Sequence, residues 1–308
     1  MTPRRPCFVV NPAAAGGRAR KVLLLVQDIL RSRDPAAEVV VTERIGHATE
    51  LARAAADAGF APVVAVGGDG TVHEVANGLL QARQPAPLCV VPCGTGNDFA
   101  RSLGLPTAPR DAIALAWDGA ARTIDLAACG GRRFLNVGGL GFDARVARAA
   151  SRFPAFLRVG TLPYVAGVLR EIVVNSSDEL TLHLDDRTLV RRTLMIAVAN
   201  LPYYGGGMMI CPAASATDGL LEVCIVGAMS RREILSLLPK VFSGGHRDHH
   251  LVEFHKTRAL RIEGLGQAEV QVDGELLVVS PITFESVPTA LQVMVPVASG
   301  TKAAPGRF

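Results

Sequence analysis

The sequence lacks the short patterns that assign many proteins to a class at once. Its six cysteines include no C-x-x-C pair and no zinc-site spacing, so we expect buried, reduced thiols. No G-x-x-x-x-G-K-[ST] string occurs, which excludes a P-loop. The net charge is only +4, and we expect no nucleic-acid partner.

Long hydrophobic runs are also missing. Residues 153–174 are among the most apolar, yet Pro163, Arg170 and Glu171 interrupt them, so we expect no transmembrane helix. The apolar run after Arg5 is too short for the hydrophobic region of a signal peptide. These absences predict a cytoplasmic protein.

Hydrophobic residues make up 49% of the 308 residues, enough to fill the cores of two domains. In the first third, strand-like runs alternate with helical patterns, which predicts a doubly wound parallel sheet with helices on both faces. The predicted strands are 7–11, 38–42, 62–66 and 88–92, and the predicted helices are 19–31, 48–58, 72–82, 97–103 and 110–117.

The pattern changes after about residue 125. Strand-like runs then follow one another, with helical stretches only near 144–171 and 231–242. The fold class is therefore α/β, with a second domain rich in antiparallel strands. We predict an α/β domain at 1–127, a β-rich domain at 128–289 and a return of 290–308 to the first domain.

The most informative feature is the loop Gly67-Gly68-Asp69-Gly70-Thr71, between an apolar run and a helical pattern. Its glycines let a ligand approach the backbone because no Cβ is in the way. Thr71 and Glu74 have capping-box spacing, which predicts a helix N-terminus whose N–H groups attract phosphate. Asp69 suits a phosphate that carries Mg²⁺. The loop predicts a site for a metal-bound nucleotide.

Two further glycine-bearing loops, at 11–17 and 92–98, follow strands of the same predicted sheet. Ligands bind beyond the carboxyl ends of such strands, so we expect the loops to converge on one cleft. A dinucleotide fingerprint is a poor alternative. Gly139, Gly141 and Ala144 follow a strand but lie beyond the alternating region, where packing of a helix on a strand explains them better.

Taken in order, the motifs resemble those of the diacylglycerol-kinase-like lipid kinases, which include sphingosine and ceramide kinases. The loop 67–71 alone is not specific, since NAD kinases and phosphofructokinases carry similar loops. The combination of motifs is specific. The matching strings are Asn11-Pro12, GGDGTVHE at 67–74, GTGNDFAR at 94–101, Asp125-Leu126, Asn136-Val137-Gly138, Gly205-Gly206-Gly207-Met208, the segment 212–221 and Val272-Asp273-Gly274-Glu275.

The resemblance implies a kinase with its active site between an NAD-kinase- or phosphofructokinase-like α/β domain and a β-rich lipid-acceptor domain. The family's catalytic glutamate matches Glu275, and its bound magnesium matches Asp218 with the carbonyls of Ser215 and Leu220. The nucleotide-binding positions, to which we add Glu74 of the same motif, are Asn11, Thr42, Gly67, Gly68, Asp69, Gly70, Thr71 and Thr95.

Phosphoryl transfer requires mainly positioning and neutralisation of charge on the γ-phosphate. We expect Mg²⁺ near Asp69 and Asp125 to bridge phosphate oxygens. Glu275, partly desolvated between the domains, is the expected general base. Asp273-Gly274 also predicts a hairpin turn, which would present Glu275 to the cleft.

The sequence thus predicts an ATP- and Mg²⁺-dependent kinase that phosphorylates a hydroxyl of diacylglycerol or a related lipid, in peripheral contact with a membrane. One alternative is an NAD-kinase-type enzyme, which fits the later motifs poorly. Another is a catalytically silent lipid- or nucleotide-binding regulator, which predicts lost carboxylates, yet these are present. A homodimer is compatible with the sequence.

Two segments carry weaker hypotheses. For the cluster His246, His249 and His250, a solvated loop is favoured over a metal site. An apolar stretch flanked by arginines is either a lip that dips into a bilayer or ordinary core packing. Its apolar residues are Phe153, Phe156, Leu157, Leu162, Tyr164 and Leu169.

Overall fold

The structure is a computed structural model that describes residues 5–151 and 162–297. The first half contains a parallel sheet in the strand order β4-β3-β1-β2, with helices on both faces. The strands are β1 (Cys7–Val10), β2 (Glu38–Val41), β3 (Val63–Gly67) and β4 (Leu88–Pro92). The helices are α1 (Arg18–Arg33), α2 (His47–Asp57), α3 (Asp69–Gln81), α4 (Asp98–Ser102) and α5 (Pro109–Asp118).

Burial on both faces explains why these strands read as continuous apolar runs. Every residue of β1, β3 and β4 is buried. One face packs against α2 and α3, where small alanines such as Ala52 and Ala76 bring the helices close to the sheet. The other face packs against α1 and α5 through residues such as Val26 and Ile113.

The second half is built mainly from antiparallel strands. Its helices are α6 (Phe142–Ser151), α7 (Leu162–Val174) and α8 (Arg231–Val241). Its strands are β5 (Ala120–Cys129), β6 (Arg132–Phe134), β7 (Val137–Gly141), β8 (Asp178–His183), β9 (Thr188–Ala199), β10 (Tyr203–Tyr204), β11 (Met208–Met209), β12 (Leu221–Gly227), β13 (Val252–Thr257), β14 (Ala259–Glu263), β15 (Ala268–Val272), β16 (Glu275–Val279) and β17 (Ile282–Val295).

The long strand β17 joins the two halves. It pairs with β14 near its start, runs antiparallel to β5, and places Val293 beside Leu88 of β4 in parallel register. Its register with β5 shifts between Val287 and Leu291, around Thr289 with a φ of 51°. This bulge bends the strand from one half into the other.

The predicted fold class is confirmed, because a parallel-sheet half precedes an antiparallel half. The hairpin turn at Asp273-Gly274 is confirmed by the pairing of Val272 with Glu275. All six cysteines are free and buried, as expected. The solvated loop is wrong for His246, which is fully buried with its Nε2 2.9 Å from the carbonyl oxygen of Ile210.

No helix in the described ranges is long and apolar enough to cross a membrane. Half of the apolar residues of the candidate membrane lip, Phe153, Phe156 and Leu157, lie outside the described residues. Leu169 of this stretch is described, and it is exposed on α7.

Candidate functional site

The glycine loop between β3 and α3 makes close backbone contacts that other residues would prevent. A Cβ on Gly67 would lie 2.4 Å from Oγ1 of Thr71. A Cβ on Gly94 would lie 2.7 Å from Cα of Gly68. Both distances are shorter than van der Waals contact. The loops after β3 and β4 therefore touch backbone to backbone, and glycine is required at the contact.

The capping box predicted for α3 is wrong. The helix begins at Asp69 with Gly68 as its N-cap and has no side-chain cap. The Thr71 hydroxyl instead accepts a hydrogen bond from Nδ2 of Asn11 at 3.0 Å. Glu74 accepts the N–H of Ala48 at the start of α2, at 3.1 Å. Long-range partners thus occupy both side chains and leave the helix start open to an anion.

The three glycine-bearing loops surround a pocket of about 380 Å³. Thr42 is not among its lining residues; it follows β2 and donates its N–H to Val10. Gly67, the last residue of β3, is not among them either. The lining residues are Asn11, Ala14, Gly68, Asp69, Gly70, Thr71, Glu74, Gly94, Thr95 and Gly96.

Two carboxyl groups meet at Gly96, that of half-buried Asp69 and that of buried Asp98. A Cβ there would lie 3.0 Å from Oδ2 of Asp69 and 3.2 Å from Oδ2 of Asp98. Asp69 accepts the N–H of Phe99 at 3.1 Å. Burial raises the pKa of Asp69, and the nearby charge of Asp98 raises it further. Burial also raises the pKa of Asp98. Asp69 is therefore a better proton acceptor than an exposed carboxylate.

Asp98 also connects the two halves of the chain. It accepts the N–H of Gly206 at 2.7 Å, which ties the loop after β4 to the glycine turn between β10 and β11. Three residues on, the guanidinium of Arg101 lies over the ring of Tyr203, 5.6 Å from its centroid. Motifs separated by more than a hundred residues thus form one wall.

An apolar cavity of about 880 Å³ adjoins the glycine-loop pocket. Asp69, Thr95 and Gly96 line both spaces, so the carboxyl group of Asp69 stands at their junction. Helices α7 and α8 and the turn at 205–208 supply the other walls. Their residues are Val168, Leu169, Ile172, Gly205, Gly206, Met208, Leu235, Leu238, Pro239 and Phe242.

Glu275 lines a different pocket, which is polar. A pocket of about 530 Å³ lies between α3, the β5–β6 turn and the β15–β16 hairpin. Glu275 is exposed there beside Arg132 and Arg133, and Glu74 lines both this pocket and the glycine-loop pocket. Glu275 is not among the residues that line the apolar cavity.

Asp273 holds the hairpin turn that carries Glu275. Its carboxylate accepts three successive backbone N–H groups, from Leu135 at 2.7 Å, Asn136 at 3.0 Å and Val137 at 3.2 Å. With φ values of 46° at Asp273 and 88° at Gly274, the chain reverses tightly. The first residue of the motif therefore anchors the turn, and the third is left exposed.

His73 links this turn to α3. Its Nδ1 lies 3.0 Å from Oδ2 of Asp273, across the boundary between the halves. Burial lowers the pKa of His73, but the hydrogen bond and charge of Asp273, with Glu275 and Glu74 nearby, raise it above its ordinary value overall. From the sequence, Asp273 is predicted only to form the hairpin turn, and His73 is given no role. Their adjacency to predicted site residues was the only signal.

The structure does not bring Asp125 to these pockets. It is buried, and its two oxygens accept the N–H groups of Gly219 and Thr289, each at 2.8 Å. Asp125 therefore fixes the loop before β12 and the bulge of β17. It is not among the residues that line the glycine-loop pocket.

The predicted magnesium ligands, the Asp218 carboxylate and the carbonyl oxygens of Ser215 and Leu220, stay a prediction. Asp218 accepts the N–H of Leu220 at 3.1 Å with one oxygen and pairs with Nζ of Lys256 at 2.6 Å with the other. The Ser215 hydroxyl lies 3.2 Å from that of Thr217. An ammonium group thus neutralises the carboxylate. Across residues 5–151 and 162–297, no group of three or more His, Cys, Asp and Glu could hold a metal ion.

Two family models together match almost all of the described chain. Residues 5–129 match the diacylglycerol kinase catalytic domain. Residues 136–295 match the YegS C-terminal domain, described as NAD kinase β-sandwich-like. The two matches meet between β5 and β7, where the parallel half gives way to the antiparallel half.

Curated relatives match over most of their length. A protein of Pseudomonas aeruginosa (strain UCBPP-PA14) named "Probable lipid kinase YegS-like" is 34% identical over 85% of each chain. A "Diacylglycerol kinase" of Mycobacterium tuberculosis (strain CDC 1551 / Oshkosh) is 32% identical over 94% of each chain. A crystal structure from Bacillus anthracis superposes with a TM-score of 0.81 over 97% of each chain, at 24% identity, and supports the fold alone.

Proposed function

Because the chain belongs to the diacylglycerol-kinase-like family of lipid kinases, we propose that it transfers the γ-phosphate of ATP to a lipid hydroxyl. Diacylglycerol or a related lipid is the proposed acceptor. The observation that carries this proposal is the position of Asp69. It stands where a glycine-loop pocket meets an apolar cavity.

ATP would occupy the glycine-loop pocket with its phosphates at the open N-terminus of α3. The first turn of that helix has no side-chain cap, so its N–H groups and positive dipole end favour an anion. ATP would arrive with Mg²⁺ as part of the substrate, and the carboxyl group of Asp98, whose Oδ1 has no hydrogen-bond partner, would be a hard oxygen ligand for that ion. Asp69 would then keep a carboxylate oxygen free to accept a proton. No step is assigned to the Asp218 segment.

The acceptor's acyl chains would fill the apolar cavity, whose 880 Å³ suits a lipid. Its hydroxyl would then meet the γ-phosphate beside Asp69. The hydroxyl oxygen bonds to the γ-phosphorus, the bond from that phosphorus to the bridging oxygen breaks, and ADP leaves. Asp69 accepts the hydroxyl proton, because it borders both substrates and its pKa is raised. Glu275, the general base implied by resemblance, remains the competing assignment.

A bilayer is the natural source of such an acceptor, so we propose a cytoplasmic enzyme that works in peripheral contact with a membrane. The same geometry disfavours NAD as the acceptor. A dinucleotide is polar and anionic, whereas the cavity next to Asp69 is lined mainly by apolar side chains. A silent regulator is disfavoured because Asp69, Asp98 and Glu275 are all retained.

The test incubates purified protein with MgATP and, separately, diacylglycerol, ceramide, sphingosine and NAD, and identifies products by mass spectrometry. We expect one phosphorylated lipid and an equal amount of ADP. Asp69→Asn is the control for contaminating kinase. Formation of NADP would establish the NAD-kinase alternative. Tight MgATP binding without any product would establish the regulator.

A further inference from the structure

Exposed apolar side chains concentrate on α7 and α8. In the ranges 5–151 and 162–297, eleven large apolar side chains are strongly exposed, and five of them lie on these helices or at the end of α8. The remaining six are spread over other parts of the surface. Such concentration on two short elements marks an interaction surface. The five residues are Leu169, Val173, Val174, Leu235 and Phe242.

These side chains form one face around the opening of the apolar cavity. Leu169, Leu235 and Phe242 line the cavity while remaining more than half exposed, at 56%, 52% and 55%, so they lie at its mouth. The end of α7 is fastened to the start of α8, because Arg231 donates to the carbonyl oxygen of Val173 at 2.6 Å. Val173 and Val174 therefore continue the same face.

The exposed charge on α7 and α8 is mainly positive. The charged side chains described on these helices include two acids, buried Glu171, which pairs with Arg170 at 2.9 Å, and half-buried Glu233. Glu171 is 1% exposed, and Glu233 is held in a capping box with Ser230. The exposed charged residues are all cationic: Arg170, Arg231, Arg232 and Lys240. An apolar face rimmed by cations is complementary to an anionic lipid surface.

We propose that the α7–α8 face docks on an anionic phospholipid bilayer and holds the cavity mouth against it. A lipid could then enter the cavity without crossing water. This proposal rests on the proposed function only in identifying the lipid acceptor as the molecule that enters the cavity. Docking itself requires neither ATP nor turnover, so it can be measured separately.

The test measures co-sedimentation with vesicles of phosphatidylcholine containing phosphatidylglycerol. The double variant Val173→Ser/Val174→Ser removes apolar area beside the mouth without touching the cavity lining. We expect about a tenfold weaker partition onto vesicles. The matched control is Val190→Ser/Val278→Ser, whose side chains are 56% and 64% exposed on β9 and β16. This control should bind as the wild type does.

A second pair of variants tests the charges. Arg232→Glu/Lys240→Glu should lose about tenfold or more in vesicle binding, and wild-type binding should weaken as salt rises. Arg31→Glu/Arg53→Glu on α1 and α2 makes the same charge change elsewhere and should lose much less. Equal losses in each variant and its control, or no loss in either α7–α8 variant, would overturn the proposal.

Turnover separates this inference from the proposed function. Val173→Ser/Val174→Ser should phosphorylate dispersed dioctanoylglycerol at the wild-type rate and lose activity only on vesicle-borne acceptor. Vesicle binding without turnover on any acceptor would reject the kinase and leave the docking face standing. If the protein turns over an acceptor and every variant binds vesicles normally, the kinase proposal stands and the docking face is rejected.

Discussion

Two carboxyl groups compete for the role of proton acceptor, and their surroundings differ. Asp69 is half-buried between the glycine-loop pocket and the apolar cavity, whereas Glu275 is exposed in a polar pocket. We expect Asp69→Asn to lower kcat about 10²- to 10⁴-fold, the usual contribution of a general base. Asparagine keeps the side-chain oxygen that accepts the N–H of Phe99, so the loop should keep its shape.

Steady-state kinetics of Asp69→Asn and Glu275→Gln, with calorimetric MgATP binding for each, decide between the two. Glu275→Gln should retain most of kcat if Asp69 is the base. A large loss of kcat in Glu275→Gln with near-normal turnover in Asp69→Asn would transfer the role to Glu275.

The pair formed by His73 and Asp273 should make stability depend on pH. The pKa of His73 is raised in the folded protein, so its stabilising contribution is complete below the unfolded pKa of about 6.5 and is lost as pH rises through the folded value. His73→Phe should therefore cost about 1–3 kcal/mol near pH 6 and less in alkaline buffer.

Urea unfolding of His73→Phe and wild type between pH 5.5 and 9 measures this difference. His250→Asn, an exposed histidine change, should shift the midpoint little at every pH. A stability gap that stays constant over the whole range would show that His73 contributes by packing alone.

At the scale of elements, two glycines of the loops should affect different properties, Gly94 the stability of the fold and Gly70 the binding of MgATP. A Cβ on Gly94 meets the backbone of Gly68 at 2.7 Å, whereas a Cβ on Gly70 meets nothing within 4 Å. Gly94→Ala should lose about 1–3 kcal/mol of stability through this overlap. Gly70→Ala should fold normally but bind MgATP more weakly, because Gly70 lines the pocket at the start of α3. Thermal unfolding and calorimetry of both variants test the distinction.

The elements themselves were largely predictable, because their signals are local. Buried strands such as β3 are continuous apolar runs, and the Asp273-Gly274 turn has the residues that positive φ values require. The capping box predicted at the start of α3 is wrong because contacts distant in sequence decide it. Thr71 and Glu74 have capping-box spacing, but their side chains accept hydrogen bonds from Asn11 and from the N–H of Ala48.

The candidate site was predictable only in part, because some of its contacts join residues that are distant in sequence. The glycine-bearing loops all follow strands of one parallel sheet, so their convergence followed from the fold class. The contact of His73 with Asp273 spans 200 residues, and Lys256 reaches Asp218 from another strand. Nothing in a single sequence indicates such pairings, because they depend on how the two halves pack.

At the scale of the molecule, Asp125 joins three segments that are remote in sequence. It lies on β5 and accepts the N–H groups of Gly219 and of Thr289 in the β17 bulge. Asp125→Asn would place an amide N–H against one of these buried donors. We expect a loss of about 1–3 kcal/mol for the unsatisfied group. If Asp125 held Mg²⁺ at the phosphates instead, the main loss would be in kcat and in the dependence on Mg²⁺.

The two possibilities are separated by measuring chemical unfolding and kinetics on the same preparation. We expect the unfolding midpoint of Asp125→Asn to fall while the KM for MgATP at low temperature stays within about twofold of the wild-type value, since the residue does not line the glycine-loop pocket. An unchanged midpoint with a severe kinetic defect would return Asp125 to the active site. Strand β17 pairs with β4 and with β5, so it belongs to both halves. We therefore expect the two halves to unfold together, and a looser bulge should move this single transition to a lower denaturant concentration.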